Sequence, residues 1–108
     1  MKLLSINYIP GQEIEALGMV KGTIVQTKHV GKDFMASMKT LVGGEITGYT
    51  QMLNEARQIA IKRMVDEAKE LGADAVIDIK YGSSQIMAGA AEVIAYGTAV
   101  KYIEKQGM

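Results

Sequence analysis

The stretch from Thr50 to Leu71, TQMLNEARQIAIKRMVDEAKEL, decides the fold because its apolar residues recur at helical spacing. They form one continuous stripe: Met52, Leu53, Ala56, Ile59, Ala60, Met64, Val65, Ala68 and Leu71. Gly72 follows at the position where a glycine commonly ends a helix. Two i,i+4 pairs of opposite charge lie on the polar side, Lys62 with Asp66 and Arg63 with Glu67. Such a pair contributes only about 0.2–0.5 kcal/mol, so the stripe must hold the helix in place.

The residues after this helix predict two strands and a loop. Apolar and polar residues alternate from Ala75 to Tyr81, which is typical of a strand with one wet face. The segment from Gly82 to Ala91 is small, uncharged and glycine-bearing, which predicts a loop. A last strand is predicted from Glu92 to Ile103. We expect the two strands to pair as a hairpin.

The residues before the helix predict a short apolar strand, a turn, a second strand and a short helix. Pro10-Gly11 predicts a sharp turn over residues 9–12. Alternation then runs from Glu13 to Val25, with Ile14, Ala16, Gly18, Val20, Gly22 and Ile24 on one small, apolar side. Gly18 and Gly22 suit a bulge, a bend or close approach by another backbone. Asp33 can cap a short helix that Gly43-Gly44 ends.

The order β, β, α, α, β, β predicts an α+β fold, with a small antiparallel sheet packed on one long helix plus a short helix. The length of 108 residues fits a single domain over 1–108. A core of this size leaves stability marginal unless subunits add to it, so we expect self-association.

Composition excludes several classes of function. Twelve basic residues balance twelve acidic ones, so no net field attracts nucleic acid. The absence of cysteine excludes disulfides, thiolate catalysis, zinc ribbons and iron–sulfur ligation. The apolar run at the N-terminus stops at Asn7, and the longest uncharged stretch, from Tyr81 to Ala91, is shorter than the roughly 20 residues of a membrane span. These features predict a cytoplasmic protein with neither nucleic acid nor membrane as a partner.

Few side chains in the sequence are candidates for a catalytic, metal-ligating or ligand-binding role. The single histidine, His29, is interpreted as a surface residue, and a metal shared with Asp33 is the alternative. Met35 and Met38 have a spacing that could present thioethers to Cu(I), although core packing accounts for both. Three tyrosines are candidates for lining a ligand pocket, and core edges or subunit contacts are the alternative: Tyr49, Tyr81 and Tyr96.

Five segments, taken in order and spacing, resemble the YbjQ-like family: Ile9-Pro10-Gly11, Gly43-Gly44-Glu45 with Tyr49, Glu55-Ala56-Arg57, Leu71 to Val76, and Glu92 to Val100. The resemblance spans nearly the whole chain. It implies small α+β subunits related to the dodecin-like fold, assembled as a ring-shaped homopentamer. The family is labelled "putative heavy-metal-binding" and is functionally uncharacterised. Its pattern matches this chain at Asp33 but not at His29, so His29 inherits no role.

A ring would bring metal-ligating side chains of different subunits together. Five copies of Asp33, Glu45 or Asp78 near an axis would bring carboxylates together as metal ligands, and these oxygens suit harder or borderline ions. The leading hypothesis is therefore a non-catalytic homo-oligomeric binding protein, with a metal ion or small molecule of unknown identity at subunit interfaces and Tyr49 and Tyr96 as pocket residues. The alternatives are a scaffold that displays the segment Gly82–Ala91 to a protein partner, and an enzyme that uses inter-subunit carboxylates and tyrosines.

Overall fold

A computed structural model describes residues 1–27 and 47–104 of the chain, without the side chains of residues 47–49. Its elements are β1 (Lys2–Leu3), β2 (Ile14–Thr27), α1 (Thr47–Glu70), β3 (Ala75–Met87) and β4 (Ala90–Tyr102). The four strands form one sheet in the order β1-β3-β4-β2, and α1 packs on it. The α+β prediction is confirmed. The predicted short helix that begins at Asp33 lies outside the described residues.

The sheet is mixed, not antiparallel throughout as predicted. β3 and β2 both pair with β4 in antiparallel orientation, whereas β1 pairs with β3 in parallel, with Lys2 opposite Ala75. The chain from β1 to β3 runs through a long helix, and a connection of that length permits parallel pairing. The predicted turn is confirmed: the N–H of Gln12 donates to the carbonyl of Ile9 at 3.1 Å, and Gly11 has a φ of 74°.

The predicted loop over Gly82–Ala91 is wrong. β3 continues to Met87 and β4 begins at Ala90, so the two strands form one long hairpin with a tight turn at Gly89, whose φ is 78°. Much of this part of β3 has no apolar layer over it, since residues 83–87 are all exposed. A strand with both faces wet does not need apolar alternation, which is why the sequence pattern failed here.

The alternation of side chains between the two faces of the sheet is interrupted in β2 at Gly18. A β-bulge lies between Ala16 and Gly18, and Gly18 has a φ of 147°. An extra residue in a strand turns the following side chains to the other face. Val20 therefore packs under α1, whereas Ile14 packs on the opposite face, so the predicted single apolar side is wrong although the predicted bulge is confirmed.

The helix lies unusually close to the sheet because small residues line both sides of the contact. Its fully buried positions follow the predicted stripe at every fourth residue: Ala56, Ala60, Met64 and Ala68. A Cβ on Gly22 would overlap the backbone oxygen of Ala60 and stand 2.5 Å from the backbone nitrogen of Met64. Gly22 thus permits direct backbone-to-backbone approach, as its position predicted.

The C-terminal end of the helix is fixed by hydrogen bonds. Gly72 has a φ of 76°, and the N–H of Ala73 donates to the carbonyl of Ala68 at 3.1 Å, so the predicted glycine stop is confirmed. Of the two predicted ion pairs, Lys62–Asp66 forms at 3.0 Å. The described residues do not form the other pair, because Arg63 Nη1 instead donates to the carbonyl of Thr23 in β2 at 2.7 Å.

A second, smaller core lies on the face of the sheet opposite α1. Residues 4–9 cross this face, where Ile9 is buried with Ile77 and Val100 and Leu4 packs beside them. The N–H of Leu4 donates to the carbonyl of Val76 at 3.0 Å, which ties the segment to β3. The N-terminal segment therefore covers the end of this face that holds Ile14, Ile77 and Val100.

The rest of that face, which we call the open face, carries the side chains that alternate with the buried core. Its residues are Met19, Lys21, Thr23 and Val25 in β2, Glu92, Ile94, Tyr96 and Thr98 in β4, and Lys80, Gly82 and Ser84 in β3. Alternate residues such as Val20 and Ala95 pack under α1.

Nothing in the described residues has the length and apolar character of a membrane-crossing helix.

Candidate functional site

Asp78 is the described one of the three predicted metal ligands, and it lies at an irregularity of β3. The register of β3 against β4 shifts between Ile77 and Lys80, and Asp78 has a φ of 54°, in the left-handed region. Its N–H donates to the carbonyl of Ile6 at 2.8 Å, and the N–H of Ile79 donates to the carbonyl of Leu4 at 3.1 Å. The N-terminal segment thus holds Asp78 in a conformation that few residues other than glycine, asparagine and aspartate adopt.

The carboxylate of Asp78 already has a cationic neighbour. Lys80 Nζ donates to Asp78 Oδ1 at 2.9 Å, and both side chains are about half exposed. An ammonium at this distance competes with a metal ion for the carboxylate. A metal ion at Asp78 would therefore meet the repulsion of the Lys80 ammonium beside the same carboxylate.

The other two predicted metal ligands, Asp33 and Glu45, lie outside the described residues. Within residues 1–27 and 47–104, no group of three or more His, Asp or Glu side chains is placed to hold a metal ion. Asp74, just before β3, bonds within the fold: its Oδ2 accepts from the N–H of Tyr102 at 2.8 Å. The metal site at Asp33, Glu45 and Asp78 stays a prediction.

The tyrosines predicted to line a pocket belong to different layers. Tyr49 lies in the first turn of α1, whereas Tyr96 is half-buried on the open face. The sheet lies between Tyr96 and the helix that carries Tyr49. The pocket at Tyr49 and Tyr96 stays a prediction. Tyr81 is 54% exposed on the edge strand β3.

Strand pairing brings together a row of side chains that sequence patterns did not reveal. Lys21 in β2 lies opposite Tyr96 in β4, and Lys80 in β3 lies opposite the same Tyr96 from the other side. Partners that are directly opposite each other in an antiparallel sheet share a face, so the three side chains stand side by side on the open face. Only the register, shifted by irregularities at Gly18 and Asp78, determines this match.

An open cleft of about 590 Å³ lies at the other end of the sheet. Its lining comprises Gly11, Gln12, Glu13, Tyr102, Ile103 and Glu104. Gln12 Nε2 donates to the carbonyl of Glu13 at 2.8 Å and to that of Ile103 at 3.3 Å. These bonds tie the turn before β2 to the end of β4, which is a structural role.

Comparison with known proteins places these features in a family. Residues 1–103 match a family described as "Putative heavy-metal-binding". The UPF0145 protein of Clostridium novyi (strain NT) is 60% identical over 103 residues, covering 95% of this chain and 100% of that protein. The UPF0145 protein of Helicobacter hepaticus is 56% identical over 103 residues, covering 95% of this chain and 99% of that protein.

A solved structure shares the fold. It is a crystal structure from Pediococcus pentosaceus ATCC 25745, described as a protein with unknown function of the DUF74 family. Its TM-score is 0.63 at 19% identity, with 95% of this chain and 98% of that chain covered. The match over residues 1–103 and the 60% identity of a relative covered over its full length show that this chain belongs to the YbjQ-like family, whose members are named UPF0145 proteins.

Proposed function

We propose that this protein is a non-catalytic homo-oligomeric binding protein, a ring of five copies that binds a metal ion or a small molecule at its subunit interfaces. The observation that carries the proposal is that, among the described residues, the sheet has two long edges without a strand partner. The number five comes from the family resemblance alone. A cytoplasmic location belongs to the same proposal.

The first unpaired edge is β2. This strand has 14 residues and hydrogen-bonds to β4 on one side, and no described residue pairs with its other side. The second edge is residues 80–87 of β3, because the N-terminal segment bonds to β3 only as far as Ile79 and no other described residue pairs on that side. Exposed strand edges readily pair with another chain, and soluble proteins normally shorten, charge or cover them.

Apolar side chains are exposed along both edges. Met19 is 73% exposed and Val25 53% exposed on β2, while Ile86 and Met87 are 51% and 64% exposed on β3. A cluster of exposed apolar residues next to a free edge is typical of a protein interface. Contact of β2 in one copy with β3 in the next would cover both sets of side chains.

The shape of the chain supports assembly as well. Its Cα radius of gyration is 18.2 Å, whereas a compact domain of this length has a value of about 13 Å. An elongated subunit whose described part has one helix over one sheet buries little of its surface by itself. Contacts of the β2-to-β3 kind are head-to-tail, and head-to-tail contacts form rings when the rotation closes.

Symmetry would supply the ligands that one described subunit lacks. Five copies of Asp33, Glu45 or Asp78 facing an axis would place carboxylates together, and such oxygen ligands favour harder or borderline metal ions over soft ones. Lys80, bonded to Oδ1 of Asp78, would compete with the metal ion for that carboxylate.

Native mass spectrometry of protein purified without an affinity tag or chelator tests the proposal. We expect a mass of five chains with a stoichiometric extra mass from the bound ligand. Five chains without extra mass would contradict the binding role and favour a scaffold. A monomer would contradict the assembly and every site at a subunit interface.

Single substitutions of the predicted ligands test the metal. Three variant proteins are dialysed against Mn²⁺ or Zn²⁺: Asp33→Asn, Glu45→Gln and Asp78→Asn. The metal retained per chain is then measured. We expect retention to weaken about tenfold or more where a ligand is lost, since even outer-shell partners of a metal have effects of that size. Glu104→Gln serves as the control, because Glu104 is not one of the predicted ligands. Equal retention in all variants would contradict the metal site.

A partner-binding scaffold is the second candidate. The tip of the β3–β4 hairpin favours it, because Ile86 and Met87 are exposed there beside a free edge. The hairpin tip would then hold a protein partner in place of a second subunit. Loss of a recovered partner on Met87→Lys, without loss of the five-chain mass, would support this function over the first.

A further inference from the structure

We propose that Lys21, Tyr96 and Lys80 form a binding site for a phosphate-type oxyanion on the open face of the sheet. The site deepens the proposed binding function by naming a class of ligand. It lies within one subunit, so it does not depend on the number of subunits.

The register places three donors in one row. Tyr96 in the central strand β4 lies directly between Lys21 of β2 and Lys80 of β3. Neighbouring strands lie about 4.8 Å apart, so the two lysine Cα atoms are about 10 Å apart with the tyrosine between them. Lysine and tyrosine side chains have similar lengths, and their polar ends can therefore meet at one height above the sheet.

The donors suit an oxyanion. Each lysine supplies three charged N–H donors and no acceptor, and the tyrosine supplies an O–H donor. Hydrogen bonds from charged donors to phosphate are shorter and stronger than neutral ones. A tetrahedral anion above Tyr96 would accept from the phenol and from the ammonium on either side.

The charges around the row favour an anion over a cation. Lys21 is exposed, and no described acid forms an ion pair with it. Lys80 is paired with Asp78 at 2.9 Å, and that carboxylate is the natural competitor for the site. The other acid of the open face, Glu92, lies four residues from Tyr96 along β4, which is about 13 Å.

The neighbouring side chains leave the row accessible. Lys80 is followed on the same face by Gly82 and Ser84, which are small. Thr23 and Thr98, the open-face neighbours of Lys21 and Tyr96, add hydroxyl groups. The N-terminal segment packs on Ile77 and Val100 and bonds to β3 as far as Ile79, so among its described contacts it borders the row without bonding to it.

Titration with inorganic phosphate at low ionic strength tests the site, with amide chemical shifts in NMR as the readout. We expect the shifts to centre on the three strands at Lys21, Tyr96 and Lys80. Lys21→Met and Lys80→Met should each weaken phosphate binding about tenfold, because a hydrogen bond to a charged group is lost. Asp78→Asn should tighten binding about three- to tenfold, since it frees Lys80 and asparagine also adopts the left-handed conformation.

Lys62 and Asp66 provide a matched control. They form an exposed ion pair at 3.0 Å, like that of Lys80 and Asp78. This pair lies on α1 and not in the sheet, so strand pairing places no described tyrosine or second lysine beside it. Lys62→Met and Asp66→Asn should therefore leave phosphate binding unchanged.

The proposal is overturned if wild-type protein shows no localised shifts, or if Lys62→Met weakens phosphate binding as much as Lys21→Met. It is also overturned if Asp78→Asn weakens phosphate binding. The same variant separates the two proposals, because a metal site needs the Asp78 carboxylate and the oxyanion site is hindered by it. Native masses of the same samples report assembly independently.

Discussion

Replacing Gly22 with alanine should lower the free energy of unfolding by about 3 kcal/mol or more, the upper range for overpacking a core. The new Cβ would overlap the backbone oxygen of Ala60 and approach the backbone nitrogen of Met64 to 2.5 Å. Neither atom can rotate away, so α1 must lift from the sheet and open the core around Met64, which is fully buried. Urea unfolding followed by circular dichroism gives the change in free energy, and the melting temperature should fall by more than about 12 °C.

The sign of this effect is informative, because alanine otherwise stabilises a strand relative to glycine by about 0.5–1 kcal/mol. Gly82→Ala is the matched control in β3. Its Cβ would meet only Cγ2 of Ile94 at 3.1 Å, the end of a side chain that can move. We expect Gly82→Ala to change the free energy of unfolding by less than about 1 kcal/mol. Equal losses in the two variants would show that the contact with Ala60 does not limit the packing.

The helix and most strands could be predicted because their burial repeats along the chain. Every fourth residue from Ala56 to Ala68 is buried under one sheet, so the pattern in the sequence is a direct image of the packing. The hairpin tip could not be predicted in the same way. Residues 83–87 of β3 are exposed on both faces, and their small polar side chains look like those of a loop.

The candidate sites depend on register, which a sequence pattern does not contain. The bulge at Gly18 reverses the faces of β2, and the glycine was visible in the sequence while its effect on Ile14 and Val20 was not. At Asp78 the irregularity comes from hydrogen bonds with residues 4–6, more than 70 positions away. The pairing of Lys21, Tyr96 and Lys80 follows from both irregularities, so it emerged only from the folded sheet.

Breaking either free edge of the sheet should convert the proposed ring into single chains. Val25 is 53% exposed on β2 and Met87 is 64% exposed on β3, at the two opposite edges. Lysine on an edge strand opposes pairing with another chain, since the ammonium would have to lose its water at the contact. We expect Val25→Lys and Met87→Lys each to shift the native mass from five chains to one. Leu71→Lys, at an exposed apolar residue after α1 and away from both edges, should keep five.

Mixing the two variants distinguishes a head-to-tail contact from a symmetric one. If β2 of one copy meets β3 of the next, every contact in either pure variant contains one lysine, and all contacts fail. In an equimolar mixture, the intact β2 edge of the Met87→Lys chain can still meet the intact β3 edge of the Val25→Lys chain. Because both outer edges of that pair carry lysine, it cannot grow, and we expect a one-to-one heterodimer. A symmetric β2-to-β2 contact would instead make Val25→Lys monomeric and leave Met87→Lys assembled, which would contradict the head-to-tail ring.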